Sequence, residues 1–370
     1  MARILFVVNN PSFFLSHRVR IALAAQEAGY DVHVATMPGN SVQTIKAYGF
    51  THHELAMSRS GTNPLSELKT VWGLYRLFKA VRPDLVHLVT IKPVLYGGIA
   101  ARLARVPAVV YAISGLGFIF TRQKKGVDVL RWVVSTLYKR ALGHKNSRTI
   151  FQNDDDCAIL TQLGAVNKNQ VVMIRGAGVD MQEFSPQAEP DLPITITMAA
   201  RLLKDKGVME FVQAAQCDTA HEYCWQLAGS IDEGNPASLT AQEFEQISHD
   251  VKCLGERKDI AQLYANSHIV VLPSYREGIP KSLLEAAASG RPIVTTDVPG
   301  CRDTIVPNQS GLLVPVRDGK AIYAAVKRLA QDSALRLAMG KAGRELAEQE
   351  FAMPIIIRKH LDVYQDLLAS

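Results

Sequence analysis

The chain of 370 residues is too long for one ordinary core and suits two domains. Its make-up, 48% hydrophobic and 21% charged with no low-complexity segment or internal repeat, excludes a disordered or fibrous protein. The net charge of +6 is shared unevenly: residues 1–180 carry 22 Lys and Arg against 10 Asp and Glu, whereas residues 181–370 carry 19 against 25. A basic half joined to an acidic half suggests that one domain faces a polyanion, although a chance surface bias fits the same numbers.

The N-terminal MARILFVVNNPSFFLSHR lacks a signal-peptide cleavage pattern and reads as a strand and turn. RILFVV (3–8) leads to a helix near Ser16–Ala28, and DVHVAT (31–36) is the next strand. A helix near Leu65–Ala80 precedes DLVHLV (84–89), PVLYGGIAARLA precedes AVVYAI (108–113), and a helix near Val127–Leu142 leads to RTIFQ (148–152), a further helix and QVVMI (170–174). After the polar DMQEFSPQAEPDLP (180–193) the alternation restarts with ITITMAA (194–200), CWQLAG (224–229), DVKCLG (250–255), HIVVLP (268–273), PIVTTD (292–297) and GLLVPV (311–316). Strands alternating with helices predict parallel sheets covered on both faces, hence an α/β protein of two doubly wound, Rossmann-like domains facing a cleft. The boundary falls at 178/179, with the last helix able to cross back onto the first domain. The longest uncharged run, VPAVVYAISGLGFIFT, is broken by Pro107, Gly115 and Gly117 and is shorter than the roughly 20 residues of a spanning helix. Five cysteines without C-x-x-C spacing point to reduced thiols in a cytoplasmic protein and away from a metal site. The first loop, NNPSFFLSH, contains no glycine, which argues against a dinucleotide-binding dehydrogenase.

The stretch REGIPKSLLEAAASGRP (276–292) places Glu277 before a helix start and Glu285 in its second turn. Pro280 suits the beginning of a helix, where its missing N–H costs nothing, and Gly278 allows a ligand close to the backbone. Free amides and the positive dipole end at Gly278, Ile279, Pro280 and Lys281 favour a phosphate, with a carboxylate on either side of it. MAARLLKDKG (198–207) follows the first strand of the same domain and supplies Arg201 and Lys206, a planar fork and a point charge for phosphate oxygens. Each stretch taken alone also fits a solvated helix.

Together these segments resemble the retaining nucleotide-sugar glycosyltransferases of family four, with the GT-B fold. The Glu-x7-Glu signature stands as EGIPKSLLE (277–285), the Arg-x4-Lys-Gly element as RLLKDKG (201–207), and CLGERKDI (253–260), ASGRPIVTTDVPGCRDTI (288–305) and SGLLVPVRD (310–318) keep family register. The resemblance implies that Glu277 faces the donor hexose, that Glu285 accepts from the ribose hydroxyls and that Arg201 and Lys206 hold the diphosphate of a UDP-sugar. The loop at Gly255, with Arg257 as an edge contact, would meet the base. It implies no metal and no cofactor. The run Asp154–Asp156 reads as the acid-rich first turn of a capped helix rather than a metal site.

FFLSHR, IKPVLYGGIAARLA and ISGLGFIF resemble a subgroup acting on polyprenyl-diphosphate-linked sugars, the undecaprenyl-diphosphate-sugar α1,3-N-acetylgalactosaminyltransferases. That implies transfer of a hexosamine in surface polysaccharide, O-antigen or protein-glycan assembly. Candidate acceptor contacts are Asn9, His17, Lys92, Ser114, Gly115 and Gly117. Between Arg122 and Arg148 stand eight Lys and Arg and one acid, Asp128. Arg122, Lys124, Lys125, Arg131, Lys139 and Arg140 fit attraction to an anionic membrane surface, while Val127, Leu130, Val134, Leu137, Tyr138 and Ala141 form a helical stripe that core packing explains. Nucleic acid is the rival polyanion, but no motif for it is present. The expectation is therefore an enzyme held peripherally on the inner face of the cytoplasmic membrane; the alternatives are another lipid-linked-sugar hexosyltransferase using UDP-GlcNAc, UDP-Gal or a GDP-sugar, a soluble enzyme with a small acceptor, or a silent binding subunit.

Overall fold

The computed structural model describes residues 1–57, 64–116, 129–232 and 234–369, with positions 64–65 and 129–133 described by backbone alone. The chain divides into two compact units, 1–177 with 354–370, and 178–353.

In the first unit β1 (Arg3–Val8) leads to α1 (Pro11–His17), α2 (Val19–Glu27), β2 (Asp31–Thr36), α3 (Val42–Ala47) and β3 (Thr51–Glu54). The path returns through α4 (Pro64–Val81) to β4 (Leu85–Val89), then a π-helical turn (Pro93–Gly97), α5 (Gly98–Ala104), β5 (Ala108–Ile113), α6 (Val129–Ala141), β6 (Ser147–Phe151), α7 (Asp154–Gln162) and β7 (Val171–Met173). The strands form one parallel sheet in the order β3-β2-β1-β4-β5-β6-β7. All six residues of β5, AVVYAI, are buried, as a strand covered by helices on both faces requires. One side of the sheet packs against α4, α5, α6 and α7 through Leu74, Phe78, Ala101, Tyr138 and Leu160.

In the second unit β8 (Thr195–Ala199), α8 (Val208–Gln216), β9 (Cys224–Ala228), α9 (Ala241–Ile247), β10 (Lys252–Gly255), α10 (Ile260–Ala265) and β11 (Ile269–Leu272) are followed by α11 (Lys281–Ala288), β12 (Ile293–Thr296), β13 (Gly311–Val314), α12 (Gly319–Gln331) and α13 (Ser333–Leu346). Its parallel sheet has the order β10-β9-β8-β11-β12-β13. The chain then re-enters the first unit as α14 (Met353–Ala369), which buries Ile356, Val363, Tyr364 and Leu367 against the sheet face that α1 and α2 also cover.

Two local features differ from the sequence reading. NNPSFFLSH was expected to be a loop, but Pro11–His17 is helical: Asn10 accepts the amides of Ser12 and Phe13 on its side chain, and Pro11 occupies the first turn. THHE (51–54) forms an edge strand that its weak apolar pattern concealed. The Asp154–Asp156 run opens α7, capped by Asn153, whose Oδ1 accepts from the amide of Asp156 at 2.8 Å.

Candidate active site

A doubly wound sheet has one place where neighbouring strands send their connections to opposite faces, and the loops there part to leave a crevice at the carboxyl ends of the strands. In the second unit that place lies between β8 and β11. The loop after β8 carries Arg201 and Lys206, and the loop after β11 carries Glu277, so residues 71 positions apart meet. Lys206 Nζ donates to Glu277 Oε1, and Ser274 Oγ donates to the same oxygen at 2.7 Å. The pair is mostly shielded, with the lysine side chain 18% and the glutamate 11% exposed.

Glycines let these loops close on one another. Gly207 has φ +76°, and a Cβ there would lie 2.2 Å from the carbonyl oxygen of Pro273; the Tyr275 amide also donates to the Asp205 carbonyl at 2.9 Å. On the other side the amide of Glu277 donates to Pro299 O at 3.1 Å. Gly300, at φ +83°, sits where a Cβ would meet Gly278 O at 2.3 Å. Backbone thus packs on backbone around the Lys206–Glu277 pair, which any side chain at these positions would push apart. The buried Cys301 thiol beside this loop is pushed up to about 12 by burial, with Glu277 adding to the effect.

In the same unit a cavity of about 220 Å³ is bordered by Arg201, Gly229, Ser230, Arg257, Ser282 and Glu285, and so by the loop after β8 and the first turns of α11. Arg201 is half exposed and pairs with Asp232 at 2.7 Å. Glu285 is buried, and that burial raises its carboxyl above the ordinary range, although Lys281 at 3.0 Å acts in the opposite sense. Pro280 occupies the cap of α11, and the helix begins at Lys281. The Ile279 side chain is buried in the core, so this residue can offer a ligand only its backbone. Gly255 (φ +68°) ends β10, and its carbonyl accepts from Gly229. Arg257 borders the cavity, but its Nε and Nη2 are engaged by Asp259, the Nε contact at 2.7 Å. A base contact by Arg257 would require exchange of that partner.

The first unit has its own divergence point between β1 and β4. Asn9 follows β1, and its carbonyl accepts from Met37 N at 3.2 Å. His17 ends α1, stacked on Phe13 with centroids 4.0 Å apart and Nδ1 2.7 Å from Ser16 Oγ. Lys92, expected to be a loop residue open to a ligand, is paired with Glu67 at 2.7 Å, and both are largely covered. Ser114 and Gly115 (φ +119°) follow β5, and the buried Ser114 Oγ has no hydrogen-bond partner among the described residues. Gly117, Arg122, Lys124 and Lys125 lie outside the described residues, as does the side chain of Arg131. Lys139 and Arg140 are exposed in the last turn of α6, while Val134, Tyr138 and Ala141 of the predicted stripe are core residues.

Residues 3–153 match the model described as glycosyl transferase 4-like, and residues 180–346 the model described as glycosyl transferases group 1. The N,N'-diacetylbacillosaminyl-diphospho-undecaprenol α-1,3-N-acetylgalactosaminyltransferase of Campylobacter jejuni is 30% identical, over 96% of this chain and 99% of its own. The chain belongs to glycosyltransferase family four. The UDP-Gal:α-D-GlcNAc-diphosphoundecaprenol α-1,3-galactosyltransferase of Escherichia coli is 27% identical over 83% of this glycosyltransferase and 81% of its own length. Among solved structures, Anabaena HepE aligns with a TM-score of 0.77 at 18% identity, covering 99% of this chain and 100% of its own, which places the glycosyltransferase in the GT-B fold.

Family spacing is what singled out the charged candidates Arg201, Lys206, Glu277 and Glu285 in the sequence. It did not single out Ser274, Asp232, Gly229 or Gly300. Glycines just beyond the short strands, as in LAG (227–229) and VPG (298–300), were the available signal for two of these; Asp232 had none, since its partner Arg201 is 31 positions away, and Ser274, although only three residues before Glu277, belongs to no motif that marks it.

Proposed function

We propose that the enzyme transfers a hexosamine, N-acetylgalactosamine, from its UDP-sugar to an undecaprenyl-diphosphate-linked sugar, forming an α1,3 linkage with retention at the anomeric carbon. The observation carrying this reading is the Lys206–Glu277 pair at the divergence of β8 and β11, in the same unit as a cavity bordered by Arg201 and Glu285 from the same two segments. The similarity to the Campylobacter jejuni transferase supports the choice of sugar, linkage and lipid-linked acceptor.

In this reading each paired cation exchanges its carboxylate for phosphate when donor binds. Lys206, Arg201 and the amides opening α11 stabilise negative charge as the bond from the anomeric carbon to the diphosphate breaks. The acceptor hydroxyl attacks on the same face and its proton passes to the departing phosphate oxygen, so UDP leaves and no side-chain base is required. Glu277 lies beside the positive charge developing on the sugar, and Glu285 accepts from the ribose. Because side-chain cations supply the charge, the reaction needs no metal. The acceptor lipid places the enzyme peripherally on the inner face of the cytoplasmic membrane, with acceptor contacts supplied by the first unit. The product serves surface polysaccharide, O-antigen or protein-glycan assembly.

The test is a transfer assay with radiolabelled UDP-GalNAc, UDP-GlcNAc and UDP-Gal and a diphosphate-linked acceptor, with and without EDTA, and the linkage determined by NMR. UDP-Gal is the donor to set beside UDP-GalNAc, since the Escherichia coli relative carries it in its name. An inverted linkage, EDTA-sensitive turnover or preference for another donor would each remove the corresponding part of the proposal.

A further inference from the structure

The helix layer on one side of the first sheet has an unusual outer surface. In α4, Leu74 and Phe78 face the core, while Leu68 and Trp72, one turn apart, are 67% and 60% exposed. Trp72 stacks on Tyr75 with ring centroids 5.1 Å apart, which presents a flat aromatic pair rather than an isolated side chain. Exposure of this much apolar surface on a single helix is costly in water unless something covers it.

The exposed charges carried by α4 itself are of one sign. Lys69, Arg76 and Lys79 lie on the exposed side of α4, and the sole acid of that helix, Glu67, is turned inward onto Lys92. Helix α4 packs on α5, and α5 on α6. The pattern continues there: Leu103 is 62% exposed, Lys139 and Arg140 are exposed, and the sequences of α5 and α6 contain no acid. The acids of this layer gather in the first turn of α7, over the opposite edge of the sheet; Glu54, at the end of β3, is the exposed acid bordering α4 across a cavity it shares with Arg76. Among the described residues no helix is long and apolar enough to cross a membrane.

Apolar and aromatic side chains ringed by lysine and arginine on a helix lying along a surface match the two components of an anionic bilayer, its acyl boundary and its headgroup charge. We propose that the outer face of α4, continued by α5 and α6, is the membrane-docking surface, with Leu68 and Trp72 inserted at the headgroup level and Lys69, Arg76 and Lys79 on anionic phosphates. This rests on the lipid-linked-acceptor reading and extends it, since the basic segment singled out in the sequence begins only at Arg122.

The test is flotation of the full chain with vesicles of phosphatidylcholine containing 25% phosphatidylglycerol, against phosphatidylcholine alone, at about 50 and 500 mM salt. Brominated lipids serve as tryptophan quenchers. The wild type is expected to float with the anionic vesicles at low salt and to show bromine quenching. Leu68→Ser/Trp72→Ser should raise the apparent Kd at least ten-fold and abolish most quenching, and Lys69→Glu/Arg76→Glu should remove the salt-sensitive part. Transfer to a short-chain, water-soluble diphosphate-linked acceptor reports the fold and should stay within two-fold of wild type in both variants. Wild-type flotation undiminished in both variants would overturn the proposal, as would binding equal on neutral vesicles or self-association in place of vesicle binding. Intact soluble transfer with no flotation would sink this surface alone, whereas absent soluble transfer in the wild type would sink the proposed reaction.

Discussion

Replacing Lys206 by Met keeps the aliphatic stem and removes only the ammonium. Two effects separate cleanly. In the resting site the ammonium pairs with Glu277, whose side chain is 11% exposed and still accepts from Ser274 at 2.7 Å. That pair is better shielded than a surface ion pair but not fully buried, so its loss should cost about 1–3 kcal/mol, between the two regimes. For a unit of this size, residues 178–353, each kcal/mol shifts the melting temperature by roughly 2–4 °C, so the variant should melt about 2–12 °C lower and remain folded at 20 °C. In the proposed transition state the same ammonium faces the departing diphosphate, where removal of one preorganised charge partner typically costs about 10²–10³ in kcat, or 2.7–4 kcal/mol. Steady-state transfer at saturating UDP-sugar, alongside a thermal melt, measures both. A variant that melts normally and turns over within three-fold of wild type would refute the role given to Lys206. So would a loss confined to KM, which would make it a ground-state binding group.

Gly300→Ala should be damaging without touching any ligand, because a Cβ at φ +83° would approach Gly278 O to 2.3 Å; a lowered melting temperature together with at least ten-fold lower kcat is expected, and a wild-type melt would contradict the packing argument. Glu285→Ala should raise the KM for UDP-sugar roughly 10- to 100-fold, the worth of a charge-assisted hydrogen bond, with kcat little changed. In the first unit His360 is held down to about 3 and His87 well below its ordinary value, both chiefly by burial, with Arg18 contributing a like charge to each. A histidine depressed on folding contributes stability that is full above its unfolded value near 6.5 and is lost as pH falls towards the folded value. The melting temperature should therefore drop between pH 7 and pH 5, at a slope of up to roughly 1.4 kcal/mol per pH unit for each group, and His360→Leu should flatten it; an unchanged slope would count against burial as the cause.

The parallel sheets and their helices were legible in the chain because strand and helix periodicities are local: AVVYAI and CWQLAG are strands in the structure within a residue of where their β-branched and apolar runs place them. The Glu277 to Glu285 spacing likewise puts one carboxylate before a helix and the other inside it, since capping and helical rise depend on neighbours alone. Local rules failed where local signals are weak or misleading. PSFFLSH lacks glycine and was read as a turn, yet Asn10 caps it into a helix, and the edge strand THHE has no apolar alternation to announce it.

Residue order by itself determined the α/β class, the two-part organisation and which charged groups a family would use. Tertiary structure alone decided that Lys206 finds Glu277, that Arg201 finds Asp232, that Lys92 is tied to Glu67, and that Trp72 faces outward while Phe78 faces in. The physical reason is range. Periodicity and capping act over three or four residues, whereas charge pairing across a divergence point joins loops 71 residues apart, and exposure depends on which sheet a helix is laid against.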